Sequence, residues 1–164
     1  MIKLARVAIE RARDHGLRIA VAESLTGGLL ADALVSVPGA SRAFSGGIVS
    51  YDTALKQSLL GVDEELLASQ GPVDGLVAQQ MASGVRRACA VDGVPAAIGI
   101  STTGVAGPDP DPQTGQSPGT VWVGVSSPAG ERSVLVACAG DRAAIRAAAV
   151  EAALVELNAE LAQL

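Results

Sequence analysis

The 164-residue sequence predicts an α/β fold, a single three-layer α/β/α domain over residues 1–164 in which helices cover both faces of a mixed sheet. Two observations predict this class. Amphipathic segments of helical period alternate with short apolar runs along most of the chain, as they do in parallel βαβ units. Towards the end, two apolar runs flank Ser127-Pro128-Ala129-Gly130, which is typical of an antiparallel hairpin.

The first elements are indicated by apolar spacing and by helix-breaking residues. Residues 2–15 carry apolar side chains three and four positions apart and predict a helix that ends at Gly16. The apolar run 17–22 predicts a buried strand. The run 29–37 predicts a helix, which must stop before Pro38-Gly39.

The middle of the chain is predicted to hold two more strands and three helices. The strands are expected over 44–51 and 96–101. Aspartates are expected to cap two of the helices, because their short side chains can accept from the first free N–H groups. These are Asp52 and Asp74, the latter beginning a helix to about Ala90, and a short helix is expected over 63–69.

The last third begins with a loop over 102–119 that is dense in Gly, Pro and Asp. Loops longer than about 12–15 residues usually serve a function or are disordered. Strands are then predicted over 120–126 and 131–137. Asp141 is expected to cap a final helix, whose apolar stripe is Val150, Leu154, Leu157, Leu161 and Leu164.

Composition and charge exclude several functional classes. The net charge of −5 and the absence of a basic stripe disfavour a nucleic-acid partner bound through phosphates. The only histidine, His15, falls at an expected helix end, and Cys89 and Cys138 lack metal-type spacing, so we expect no metal site. Apolar runs are too short for a membrane span and no signal-peptide pattern is seen, so the cytoplasm is the expected location. The aliphatic composition favours a homo-oligomer.

The strand-to-helix junction Ala22–Gly28 contains a hydroxyl group and two glycines. Ser24 could be a nucleophile, while free N–H groups near Thr26, Gly27 and Gly28 could bind an anion or an oxyanion. The alternative is that Ser24 or Thr26 only caps the helix and that the glycines only serve the turn.

Lys56 is unusual because the chain has 12 basic residues and only one other, Lys3, is a lysine. Arginine keeps its proton in a protein, whereas a partly buried lysine can lose it and act as a general base. The alternative is a solvated lysine on a helix. Tyr51, the only tyrosine, could relay a proton or orient that amine, or it could be a strand-end aromatic whose hydroxyl reaches water.

The segment Ser101–Asp109 follows a buried strand, at the sheet edge where α/β proteins bind ligands. Its glycines would let the main chain approach a ligand closely, so Thr103, Gly104 and Gly107 are candidate binding residues. Arg142, in the first turn of the last helix, is a candidate for binding a phosphate or carboxylate, or else an exposed helix arginine. With no available histidine, a Ser–Lys pair is the remaining way to activate a serine.

Five segments occur in a recognisable order: Ala22–Gly28, Gly46–Tyr51 with Lys56, Thr103–Pro108, Pro118–Trp122 and Gly140-Asp141-Arg142. Together they resemble the C-terminal domain of the competence/damage-inducible protein CinA, a family that includes stand-alone nicotinamide-nucleotide amidohydrolases. The resemblance extends from about Leu4 to Leu157.

The resemblance implies hydrolysis of nicotinamide mononucleotide to nicotinate mononucleotide and ammonia, with no cofactor or metal. It implies that Ser24 is the nucleophile, Lys56 the base and Tyr51 its partner. From the position of Arg142 in the first turn of the last helix, we expect Arg142 and a helix N-terminus to hold the 5′-phosphate of this pyridine nucleotide. The loop Pro110–Gln116 departs from the glycines that the family often has there. The alternative function is a non-catalytic nucleotide-binding or regulatory module, and a purely structural oligomerisation domain is a third.

Overall fold

The computed structural model describes residues 1–164 and contains six α-helices, a 3-10 turn and five strands. The helices are α1 (Ile2–Asp14), α2 (Leu29–Val35), α3 (Thr53–Leu60), α4 (Glu64–Gln70), α5 (Gly75–Ala88) and α6 (Arg142–Leu161). The strands are β1 (Ile19–Glu23), β2 (Phe44–Val49), β3 (Ile98–Gly104), β4 (Thr120–Ser127) and β5 (Gly130–Ala137).

The strands form one mixed sheet in the order β2-β1-β3-β4-β5. The central strand β1 is parallel to both β2 and β3, whereas β4 and β5 are antiparallel additions. Carboxyl ends of parallel strands meet at one edge, which is where open α/β sheets bind ligands. The residues that follow β1, β2 and β3 are therefore brought together at this edge.

Helices cover both faces of the sheet, which confirms the three-layer α/β/α prediction. The larger core cluster joins α1, α2 and α6 to one face, through residues such as Val21, Ile100 and Leu154. The smaller cluster joins α3, α4 and α5 to the other face, through Ala22 and Met81 among others. Neighbouring residues of β1 alternate between the two clusters, as the strand period of two requires.

Helix α5 lies with its main chain directly against the sheet. A Cβ atom added at Gly99 would be 1.9 Å from the Ala82 carbonyl oxygen, and one at Gly124 would be 2.1 Å from that of Ala78. At the start of α5, a Cβ added at Gly75 would be 3.1 Å from the ring of Trp122. Small residues thus achieve by close approach the packing that large side chains provide in other cores.

The structure differs from the prediction in the third strand, which continues to Gly104. Thr102, Thr103 and Gly104 were expected to begin the long loop. They instead pair with β4, with Thr103 opposite Trp122 and Gly104 opposite Val121. The loop is therefore 105–119. The polar residues Thr102 and Thr103 are not typical of a buried strand, but they can lie in one here because their hydroxyl groups are hydrogen-bonded inside the protein.

The other differences lie at element ends. Helix α6 ends at Leu161, and Leu164 lies beyond it with 43% of its surface exposed, so it is not part of the buried stripe. The hairpin turn is tighter than expected, because Ser127 and Gly130 are themselves paired. None of the helices is both long enough and apolar enough to cross a membrane. The expected homo-oligomer stays a prediction.

We expect Gly124→Ala to destabilise the protein, because its methyl group would meet the Ala78 carbonyl oxygen of α5. Overpacking of this kind costs about 1–3 kcal/mol. Urea unfolding followed by circular dichroism measures the loss. A variant that unfolds at the parent's urea midpoint would contradict the close approach of α5 to the sheet.

Candidate active site

Ser24 is the first residue after β1, at the carboxyl edge of the sheet. Its N–H group donates to the Thr102 carbonyl oxygen at 2.9 Å, which continues the pairing of β1 with β3 by one residue. The residue is 9% exposed. Its hydroxyl oxygen lies 3.0 Å from the side-chain nitrogen of Lys56.

Lys56 comes from α3, which begins where the chain leaves β2. Asp52 caps this helix by accepting from the Ala54 N–H group at 2.8 Å, so Lys56 falls one turn inside it. The lysine is only 1% exposed, and Nζ also donates to the Ser50 carbonyl oxygen at 2.7 Å. The amine is therefore held between a fixed acceptor and the serine hydroxyl.

Burial lowers the pKa of Lys56 from 10.5 to about 8, and the carboxylate of Asp52 partly opposes this shift. With that pKa, about a tenth of the amine is neutral at pH 7. Neutral Nζ can donate to Ser50 and present its lone pair to the Ser24 hydroxyl, so the geometry suits direct proton transfer from serine to lysine.

Ser24 and Lys56 open into a cavity of about 340 Å³. Four other predicted site residues line it: Tyr51, Thr103, Gly104 and Arg142. The remaining lining residues are Leu25, Thr53, Pro72, Val73, Ala106, Asp111 and Pro112. The sheet edge thus brings together residues from five separate segments of the chain.

Tyr51 is paired with Arg142 rather than with Lys56. Its hydroxyl oxygen accepts from Arg142 Nη2 at 2.9 Å, while Arg142 Nη1 donates to the Gly107 carbonyl oxygen at 2.7 Å. Tyr51 is 60% exposed. The pair therefore forms a cationic part of the cavity wall, and Ser24 and Lys56 meet without an intervening phenol.

Thr103 and Gly107 have structural contacts around the cavity. The Thr103 hydroxyl donates to the Pro72 carbonyl oxygen at 2.6 Å. Gly107 does not line the cavity itself but holds Arg142 through its carbonyl oxygen. At Gly104 a Cβ atom would lie 2.7 Å from the Thr120 carbonyl oxygen, so only glycine fits between the strands.

Thr26, Gly27 and Gly28 do not line the cavity. The Thr26 hydroxyl is buried against that of Thr102 at 2.8 Å. The N–H group of Gly27 donates to the Ser24 carbonyl oxygen, and that of Gly28 donates to the Glu23 carboxylate. The N–H groups of both glycines are therefore already used and are not available to a ligand.

Sequence reasoning missed the loop tip as part of the cavity wall. Gln113 donates to the Leu67 carbonyl oxygen at 3.1 Å and Gln116 to that of Val73 at 3.0 Å, which fastens the loop to the chain around α4. Asp111 and Pro112 consequently reach the cavity. A pair of glutamines in a Pro-rich loop is too common a pattern to have indicated this.

No group of three or more His, Cys, Asp and Glu side chains is arranged to hold a metal ion. The polar side chains of the cavity are instead three alcohols, an amine, a phenol, a guanidinium and one carboxylate. This set can activate a nucleophile and bind an anion.

We expect Lys56 to titrate near pH 8, because its side chain is desolvated. Only two lysines are present, so Cε-labelled lysine gives two resonances, which Lys3→Arg assigns. Asp52→Asn should move the Lys56 midpoint lower by removing the carboxylate that favours the ammonium form, while asparagine still caps α3. Asp63→Asn, at the cap of α4, is the control and should leave the midpoint unchanged. A Lys56 midpoint above pH 10 would contradict the buried amine.

The sequence of this chain is similar to those of a known protein family. The sequence profile described as "CinA C-terminal domain" matches residues 1–161. A "CinA-like protein" of Frankia casuarinae is 52% identical over 136 residues, which cover 83% of this chain and 30% of that protein. The chain thus spans about a third of the length of the curated relatives that it matches.

Solved structures agree with this assignment. A CinA superfamily protein of Klebsiella pneumoniae superimposes with a TM-score of 0.91 at 29% identity, covering 99% of this chain and 98% of that one. The competence/damage-inducible protein CihA of Agrobacterium tumefaciens gives a TM-score of 0.87 at 33% identity, covering 96% and 93%. The chain belongs to the CinA C-terminal domain family.

Proposed function

We propose that this domain is an amidohydrolase that converts nicotinamide mononucleotide and water to nicotinate mononucleotide and ammonia. The observation that carries the proposal is the 3.0 Å contact between a nearly inaccessible lysine amine and the Ser24 hydroxyl at the cavity. A lysine needed only for solubility or for ion pairing would not be buried beside an alcohol.

The reaction begins with proton transfer from the Ser24 hydroxyl to neutral Lys56 Nζ. As the proton leaves, Oγ bonds to the carboxamide carbon and the carbonyl π pair moves onto the oxygen. Collapse of this tetrahedral species breaks the carbon–nitrogen bond, and Lys56 returns the proton to the departing nitrogen, which leaves as ammonia. The acyl group remains on Ser24 as an ester.

Hydrolysis of the ester uses the same two side chains. Water gives a proton to Lys56 Nζ as its oxygen bonds to the acyl carbon, and the bond to Ser24 Oγ then breaks with return of that proton to the serine. The net change is an amide and water to a carboxylic acid and ammonia. A single base thus serves both half-reactions, provided that its pKa lies near the working pH.

The charges of the cavity support a phosphorylated substrate. Arg142 is fixed by Gly107 and Tyr51 through two of its donors, and its remaining N–H groups can bind a phosphate oxygen. With the phosphate at Arg142, the carboxamide end of the nucleotide would be directed to Ser24, at the other functional group of the same cavity.

We expect the purified protein to release ammonia from nicotinamide mononucleotide and both active-site variants to lose this activity by about 10³-fold or more. Ser24→Ala removes the nucleophile, and Lys56→Arg keeps the charge but removes the base. Enzyme-coupled ammonia detection measures the rates. The matched controls are Ser45→Ala, whose buried hydroxyl has no hydrogen-bond partner, and Lys3→Arg. Nucleotide binding by the parent without ammonia release would favour the non-catalytic nucleotide-binding module instead.

The activity should rise with pH. A general base works only when it is unprotonated, so kcat/KM should increase about tenfold per pH unit at low pH and level off above about 8, where Lys56 is neutral. A pH series of initial rates measures this profile. A rate that stays constant from pH 6 to pH 9, that is from about two units below that pKa to about one unit above it, would exclude Lys56 as the base.

A further inference from the structure

The turn that follows Ser24 has an unusual pattern of main-chain hydrogen bonds. From Ser24 to Ala31, every N–H group has an acceptor within the protein except those of Leu25 and Thr26. Leu25 is 3% exposed and lines the cavity, whereas Thr26 is fully buried and does not line it. Buried N–H groups without a partner are rare in proteins and call for an explanation. These two belong to the two residues that directly follow the proposed nucleophile.

The free N–H groups are not the amino end of a helix. Helix α2 begins at Leu29, and its first N–H groups are occupied by the buried carboxylate of Glu23. Glu23 accepts from Gly28, just before the helix, at 3.0 Å, and from Leu30 and Ala31 inside it at 3.0 Å and 2.8 Å. Because Glu23 occupies these N–H groups, the start of α2 is not available to bind an anion. The same contacts fix the turn to the end of β1.

Arg146 holds the same turn from α6. Its Nε donates to the Leu25 carbonyl oxygen at 2.9 Å and its Nη2 to the Thr26 carbonyl oxygen at 2.9 Å. A Cβ atom at Gly27 would lie 3.3 Å from Nη2, so the guanidinium lies close against the turn. Arg146 does not line the cavity, and it has no contact with Lys56 or Arg142 among its hydrogen bonds.

Peptide geometry gives these contacts a directional consequence. In a trans peptide, the carbonyl group of one residue and the N–H group of the next point in opposite directions. Because the Leu25 carbonyl points to Arg146, the Thr26 N–H group points away from it. Because the Ser24 carbonyl accepts from Gly27, the Leu25 N–H group points away from that bond.

We propose that the N–H group of Leu25, which lines the cavity, is the donor of the reaction's oxyanion hole and that Arg146 is the positioning residue that fixes Leu25 through its carbonyl oxygen. This inference rests on the proposed function. The hole stabilises the oxygen that becomes negative when Ser24 bonds to the carboxamide carbon.

Another pair of N–H groups is the alternative candidate for stabilising the oxyanion. Those of Ala106 and Gly107 also have no acceptor within the protein, and Ala106 lines the cavity. They lie on the loop after β3 and are not linked to the nucleophile, whereas the N–H group after a nucleophile is a common oxyanion donor. The experiment therefore has to distinguish the Leu25 N–H group from those of Ala106 and Gly107.

We expect Arg146→Gln to lower kcat for ammonia release by about 10–10³-fold while KM changes by less than about threefold, because the donor acts on the transition state. Guanidinium ion added to Arg146→Ala should restore part of kcat, which general loss of stability would not allow. Arg132→Gln is the control: it loses contacts to Glu156 and Glu160 on α6 and does not line the cavity. An equal loss of kcat in that control, or a raised KM with kcat unchanged, would overturn the assignment.

A second measurement does not depend on ammonia release. Pyridine-3-boronic acid can bond to a serine oxygen and place a negatively charged oxygen where the oxyanion forms. In amide-resolved NMR we expect it to shift the Leu25 N–H proton downfield in the parent, less in Arg146→Gln, and not in Ser24→Ala. No shift in the parent, or shifts confined to Ala106 and Gly107, would overturn the assignment. If the Leu25 shift occurs while nicotinamide mononucleotide yields no ammonia, the proposed substrate is wrong and the oxyanion hole stands.

Discussion

The burial of one amine is the constraint on which the candidate site depends. Lys56 is enclosed by the protein beside Ser24, and this desolvation is what lowers its pKa to about 8. The shift has a cost in stability. The pKa of Lys56 is lower in the folded protein than the value of 10.5 in the unfolded chain, so protonation favours unfolding. This loss of folding stability is absent above pH 10.5, grows as the pH falls, and is complete below about pH 8. There it amounts to about 3 kcal/mol, a large fraction of the roughly 5–15 kcal/mol that stabilises a typical domain.

The sheet topology explains how the chain can hold such an amine in place. Parallel pairing of β1 with β2 and β3 brings three carboxyl ends to one edge, so Ser24, the segment before Lys56, and Gly104 become neighbours. The acceptor that holds the amine is the Ser50 carbonyl, which follows β2 directly. Helix α6 then contributes from the other layer, with Arg142 at the cavity and Arg146, one turn later, at the turn after Ser24.

Much of this arrangement could be predicted from the sequence, because it depends on local patterns. Apolar period and capping aspartates indicated the helices, and the contrast between two lysines and ten arginines indicated Lys56. The partner of Tyr51 could not be predicted, since Arg142 is 91 positions away and only the folded sheet brings them together. The end of β3 was missed because Thr102 and Thr103 are buried with hydroxyl partners supplied by other segments. Arg146 was missed although its spacing of four from Arg142 places both on one face of a helix.

The near absence of aromatic side chains gives each optical signal of this protein a known origin. The only tryptophan, Trp122, lies against Gly75 where α5 meets the sheet and does not line the cavity, so indole fluorescence follows the attachment of that helix. The only tyrosine lies in the cavity wall, with its hydroxyl accepting from Arg142, so the near-ultraviolet absorbance of the phenol responds to occupation of the site. The two signals therefore report on different places in the fold, namely the contact of α5 with the sheet and the wall of the cavity.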